Sequence, residues 1–209
     1  MSSNATSSHL VTPAPQDQRH LVQKRAIQAE VYKREDGLWD IEAELVDTKG
    51  VDFHLKALTR KAGEAIHRMR LIVTINKQMD VLGASAVSLD VPYPGACETI
   101  APDYSKLIGL NLMRGFRGDI KERLGGVSGC THLTELCNIL PTAAIQAFAG
   151  EIFDVTNDDV SGPMPFQLNR CHALRTDGPA VMKYHPTWFG REVEPAKIPK
   201  TTTAPKKSG

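Results

Sequence analysis

No stretch of this 209-residue chain approaches the roughly 20 consecutive apolar residues that a membrane-spanning helix requires. The polar, Ser-rich residues 1–9 lack the charged start and apolar run of a secretory signal. A cytoplasmic location without membrane attachment is therefore expected. An excess of either charge is missing too: 25 Lys and Arg against 24 Asp and Glu leave a formal charge of +1. An extended nucleic-acid groove would show a clustered basic excess, so nucleic acid is not an expected partner. Cysteine is scarce, and Cys97, Cys130, Cys137 and Cys171 include no Cys-x-x-Cys pair. They do not read as a disulfide framework. A chain of this size can bury a core without such staples, and in a reducing compartment its cysteines are free thiols, metal ligands or catalytic groups. No repeat of solenoid period is present.

The two ends are poor in apolar side chains and rich in Ser, Thr, Pro and Lys. Such composition buries too little surface to offset ordering entropy, so residues 1–18 and 195–209 are expected to be disordered tails around one domain over residues 19–194. The ordered part opens with a hairpin, strands at residues 26–34 and 38–47 about Glu35-Asp36-Gly37. Trp39, Ile41, Ala43 and Leu45 alternate with Asp40, Glu42 and Glu44, the pattern of a sheet with one wet face, and Asp-Gly suits a tight hairpin turn. A second hairpin follows. His67, Met69, Leu71, Val73 and Ile75 share one strand face, with Arg68 and Arg70 on the other. Asn76-Lys77-Gln78 turns the chain into residues 79–90, where Val81, Val87 and Leu89 are expected on one face. The run Gly83-Ala84-Ser85-Ala86 makes that strand small-sided, open to close approach by a helix or ligand.

The period then changes. Asp103 is placed to cap a short helix carrying Leu107 and Ile108. A helix is expected from about Arg114 to Leu124, stopped by Gly125-Gly126. A third begins near Thr131 with Leu133, Leu136, Leu140, Ala144 and Phe148, and Pro141 predicts a kink or two abutting helices. Residues 166–184 suggest a final hairpin turning at Thr176-Asp177-Gly178. Hairpins followed by helices imply an α+β fold, an antiparallel sheet with helices packed on one face.

Chemistry concentrates in Leu124-Gly-Gly-Val-Ser-Gly-Cys-Thr-His-Leu-Thr-Glu135. Glycine-rich backbone entering a helix gathers N–H groups that can hold an anion. A thiol at Cys130 would meet the positive helix end, which lowers its pKa and favours the nucleophilic thiolate. His132 can serve as its base, and Glu135, three residues on, shares a helix face with His132. These three form a catalytic candidate, with Gly126, Ser128 and His67 as substrate-binding candidates. The structural alternative makes the glycines a helix stop, Thr131 the next cap, Cys130 buried filler and His67 a satisfied core histidine. The loop lacks the lysine of a phosphate-binding P-loop, which argues against nucleotide hydrolysis. Soft ligands at Cys97, Cys130, His132 and Cys171 offer a different reading, a zinc or iron–sulfur site. Arg60, Lys61, Arg68 and Arg70 read as a solvated basic face, and Trp39 and Trp188 as packing anchors.

Asp36-Gly-Leu-Trp-Asp-Ile-Glu42, Ile66-His67, Ala96-Cys97, Gly129-Cys-Thr-His-Leu-Thr-Glu-Leu136 and Leu168-Asn-Arg-Cys-His-Ala-Leu174 together resemble the bacterial family called domain of unknown function 2889, over roughly residues 20–190. That resemblance implies no particular activity. A fainter similarity is to the U-type iron–sulfur scaffold fold, where a hairpin also precedes a cysteine-bearing loop. Three functions stay open: a small-molecule-binding protein or enzyme with a Cys/His site at the glycine-rich helix start, a metal or iron–sulfur protein, and a non-catalytic interaction domain. No cofactor is named by the residues, nor is an oligomeric state.

Overall fold

Why the first hairpin forms is visible in its burial. In a computed structural model, which describes Pro15, residues 18–156, Ser161 and residues 164–191, strands β1 (Gln23–Lys33) and β2 (Trp39–Lys49) pair antiparallel. Along β2 every second residue, Trp39, Ile41, Ala43, Leu45 and Asp47, is buried. The turn holds Gly37 at φ 80°. It is the only residue of that turn with positive φ, so the glycine alone meets the strained position. The disordered tails expected at 1–18 and 195–209 fall outside the described residues, apart from Pro15 and Gln18.

A short ribbon, β3 (Phe53–His54) with β4 (Thr59–Arg60), leads into β5 (Ala65–Ile75) and β6 (Val81–Asp90). The main sheet has the order β1-β2-β5-β6, antiparallel throughout. Asn76 shapes the β5–β6 turn by accepting the N–H groups of Gln78 and Asp80 on its side-chain oxygen, both at 2.9 Å. The expected shared face of Val81, Val87 and Leu89 does not form. Val81 is buried while Val87 and Leu89 are exposed, and irregularities in register at both ends of the β5–β6 pairing account for the change. A one-residue slip moves side chains to the opposite face. Ala84 and Ala86 point coreward instead, and their small size admits the 3₁₀ segment Cys97–Leu107 against β6.

That segment starts well before Asp103, so Asp103 is no helix cap; its carboxylate pairs with Lys106 at 2.6 Å. Helix α1 (Phe116–Leu124) follows, and then α2 (Thr131–Phe148), which runs through Pro141 as one helix rather than two. Pro141 removes a single backbone donor, and the apolar face on either side keeps the helix docked. Leu133, Leu136, Cys137, Leu140, Ala144 and Phe148 are all buried against Trp39, Ile41, Leu45, Met69 and Leu71. A fully buried side chain of this kind contributes about 1.5–3 kcal/mol. The opposite sheet face is polar, with Arg68 and Arg70 at 3.4 and 3.7 Å from Glu44. This is the α+β arrangement of a four-stranded antiparallel sheet with helices on one face.

The expected hairpin at residues 166–184 is absent. Turns occupy 166–178, and Pro179, at the first position of helix α3 (Pro179–Tyr184), presets the helical φ there. Met164, Leu168, Val181 and Trp188 form a second small cluster. Trp39 and Trp188 are both buried packing anchors, as anticipated.

Candidate active site

Strand register sets three polar side chains in one row. Arg25 of β1 pairs with Asp47 of β2, and Asp47 pairs with His67 of β5. Asp47 continues the inward alternation of β2, so its carboxylate goes into the protein, where its side chain is only 4% exposed. A buried carboxylate is tolerable only if paired and hydrogen-bonded. Arg25 supplies this with two bonds, Nε to Oδ1 at 2.7 Å and Nη2 to Oδ2 at 2.8 Å. Burial pushes the Asp47 pKa up; the Arg25 hydrogen bonds and charge, with the two neighbouring imidazoles, outweigh it and hold the carboxyl below its ordinary value.

Helix α2 lays a second histidine over this row. His132, in its first turn, stacks on His67 with ring centroids 3.7 Å apart and planes 26° apart. Both rings approach the same oxygen: His67 Nδ1 and His132 Nε2 each lie 3.4 Å from Asp47 Oδ2. The other ring nitrogen of His132, Nδ1, is 3.8 Å from Cys130 Sγ. A chain of contacts therefore runs thiol, imidazole, carboxylate, guanidinium. Burial, and then the adjacent His132, push the His67 pKa down against the pull of Asp47, which keeps that ring neutral near pH 7.

Cys130 itself occupies the N-cap position of α2, the place sequence reasoning gave to Thr131, although its thiol makes no capping hydrogen bond. Burial raises the thiol pKa. His132 and the first-turn N–H groups of Leu133 and His132 together lower it further than that, and the net direction is down. The backbone at Cys130 is pinned by a side chain that no motif revealed. The Tyr104 hydroxyl donates to the Cys130 carbonyl at 2.9 Å and accepts its N–H at 3.0 Å, with the Thr134 hydroxyl 3.0 Å away. The glycines before it have a steric role. A Cβ on Gly125 would lie 2.2 Å from the Lys121 carbonyl oxygen, and one on Gly129 2.1 Å from that of Leu124. Only glycine lets the chain fold this tightly between the two helices.

Cys130, His132 and His67 open on a cleft of about 460 Å³, walled by Met69, Pro92, Tyr93, Ile100 and Val127, with Cys97 also on its lining. This lies within the roughly 300–1,000 Å³ of small-molecule sites. Of the residues selected from sequence, then, Cys130, His132 and His67 come together. Gly126, Ser128 and Glu135 are exposed and do not line the cleft; the Glu135 charge adds a little to the raising of the Arg25 pKa, which the Asp47 hydrogen bond dominates. The proposed ligand set Cys97, Cys130, His132 and Cys171 is not assembled. Cys171 is exposed in the turns after residue 166. Among the described residues, the group of possible metal ligands that converges is Asp47, His67 and His132. Cys137 is buried in the core, and burial pushes its thiol up to about 12.

Asp47, Arg25 and Tyr104 were missed by sequence reasoning. For Asp47 a signal existed: the alternation from Trp39 to Leu45, continued by two residues, puts a carboxylate on the inward face. Arg25 and Tyr104 become recognisable only through strand register and packing.

Fold and site together define an α+β protein with a Cys–His–Asp array at the mouth of an apolar cleft. The chain belongs to the family described as protein of unknown function (DUF2889), whose sequence model matches residues 23–146. Those residues include Arg25, Asp47, His67, Cys130 and His132. No curated protein and no solved structure matches the chain, and the fainter likeness to an iron–sulfur scaffold gains no support. Among the described residues no helix is long and apolar enough to cross a membrane.

Proposed function

We propose that this protein is an enzyme acting on a small molecule in the cytoplasm, with Cys130 as nucleophile and the neighbouring cleft as substrate site. One observation carries the reading, the continuous array from Cys130 Sγ through His132 to Asp47 at the edge of an open cleft. Nucleophile, base and orienting carboxylate are the parts of a covalent catalytic device. His132 takes the thiol proton on Nδ1, and Asp47 stabilises the imidazolium through Nε2. Arg25 keeps Asp47 ionised and oriented. The separations of 3.8 and 3.4 Å are long, as catalytic contacts often are before substrate binds. The first-turn N–H groups of His132 and Leu133 turn toward the Cys130 sulfur and favour its thiolate. Acyl transfer is the chemistry that fits such a set.

Iodoacetamide alkylation followed by peptide mapping tests this reading. Cys130 should be modified fastest, with a pH midpoint below the ordinary thiol value of about 8.5, and His132→Ala should raise that midpoint. A Cys130 that reacts only after unfolding, like Cys137, would defeat the proposal.

The convergence of Asp47, His67 and His132 supports a second reading, a divalent metal site with two imidazoles and one carboxylate. Geometry favours the first. Imidazoles bound to one ion aim their in-plane lone pairs at a common point, whereas these rings are stacked near-parallel, and Arg25 already occupies both carboxylate oxygens. Elemental analysis of freshly purified protein separates the readings. Stoichiometric zinc or iron, lost in His67→Ala, would establish the metal centre.

A further inference from the structure

The walls of the cleft say what kind of molecule it admits. Beyond the thiols and imidazoles, its wall is built mainly from Met69, Pro92, Tyr93, Ile100 and Val127 with the hydroxyls of Thr99 and Thr131, and no Lys or Arg is among the lining residues. Arg25, the cation of the array, has its guanidinium committed to Asp47. A carboxylate or phosphate on the acyl group would therefore give up part of its hydration against the apolar wall with no Lys or Arg there to pair with it. Moving a charge into such a setting costs several kcal/mol unless it is paired. An apolar group gains about 25 cal/mol for each Å² it buries. The hollow bordered by Leu112, Met113, Phe116, Arg117 and Pro141, in contrast, has no nucleophile and no base on its lining.

We infer that the substrate is a thioester whose acyl group is uncharged and apolar. The inference rests on Cys130 as nucleophile and adds the substrate class. His132 removes the Cys130 proton, and the thiolate forms a bond to the acyl carbon. The leaving thiol departs as its C–S bond breaks and takes the proton held by His132. Water then attacks the acyl-enzyme, giving a proton to His132. The Cys130–acyl bond breaks, the thiol regains that proton, and the carboxylic acid leaves. No oxidant, reductant or further reactant is consumed.

The test uses the full chain and the N-acetylcysteamine thioesters of benzoate, butyrate and succinate. Intact mass and peptide mapping follow acylation, and thiol release follows turnover. Benzoyl and butyryl groups should appear on Cys130 and turn over with kcat/KM at least about ten-fold above succinyl, equivalent to about 1.4 kcal/mol. Val127→Arg places a cation on an exposed position of the cleft rim and should narrow that ratio by raising succinyl turnover. Succinyl used as well as benzoyl by the unmodified protein would overturn the acyl assignment while Cys130 acylation still upheld the nucleophile. If no thioester acylates Cys130 and the thiol shows no lowered midpoint, the nucleophile reading falls and the inference with it.

Discussion

Asp47 is the residue on which the site turns, because it meets Arg25, His67 and His132 at once. Its folded pKa is depressed, so its contribution to stability is complete above the unfolded carboxylate value of about 3.9 and fades as pH falls through the folded value. Asp47→Asn should cost about 1.5–3 kcal/mol at pH 7, the range for hydrogen bonds to charged groups. The difference from the parent should begin to narrow below about pH 3.9, which denaturant titrations at pH 7 and pH 3 would show. A gap of equal size at both values would argue against the ion pair. His67 behaves differently. Its folded pKa lies below the unfolded value of about 6.5, so the unfolded chain binds more protons between the two and stability declines as pH drops below about 6.5. His67→Gln should flatten that slope in a series of thermal melts between pH 7.5 and 5.

Helix α2 and the turn before it have separable functions. Leu133 and Leu136 are fully buried in the core, and truncating either to Ala should cost about 2–5 kcal/mol. Cys130→Ser and His132→Ala, at the cleft edge, should melt much closer to the parent, while the first abolishes thiol reactivity and the second moves its alkylation midpoint to higher pH. Paired melts of the four variants check this; histidine and cysteine variants as unstable as the leucine ones would make the motif structural. The turn is stricter. Gly129→Ala places its Cβ against the Leu124 carbonyl, so that backbone has to shift. Gly118→Ala within α1 meets nothing within 4 Å and removes a flexible residue from a helix, a gain of about 0.4–1 kcal/mol. The first variant should lose stability and displace Cys130; the second should gain stability with alkylation unchanged. Denaturation midpoints of the pair decide it.

At the scale of the molecule, the large core under the sheet and the small cluster of Met164, Leu168, Val181 and Trp188 are distinct. The stacked Phe153–Phe166 pair and the Gln167 bond to the Val155 carbonyl are contacts between the segments on either side of residue 160. Every residue of the Cys–His–Asp array lies within the family match, and Cys130 packs against the larger cluster. Trp188→Ala should therefore expose residues 164–191 to limited proteolysis while leaving the Cys130 alkylation rate as it was. A parallel loss of Cys130 reactivity would mean that the C-terminal segment supports the site.

Much of the fold was legible from local pattern. Alternation from Trp39 to Leu45 and the glycine at 37 dictate the first hairpin, and the spacing of Leu133, Leu136, Leu140, Ala144 and Phe148 dictates the buried face of α2. Those signals are local because period and backbone preference act over a few residues. The same locality misled where turn residues preceded Pro179, since Thr-Asp-Gly favours a hairpin turn but a proline at the next position starts a helix as readily. Cys130, His132 and His67 stood out by residue type, yet their partner did not. Arg25 meets Asp47 across 22 positions, and His132 reaches the same carboxylate only because α2 docks over β2 and β5. Which side chains oppose one another is set by strand register and helix packing, and both depend on the burial of the whole core rather than on any one segment.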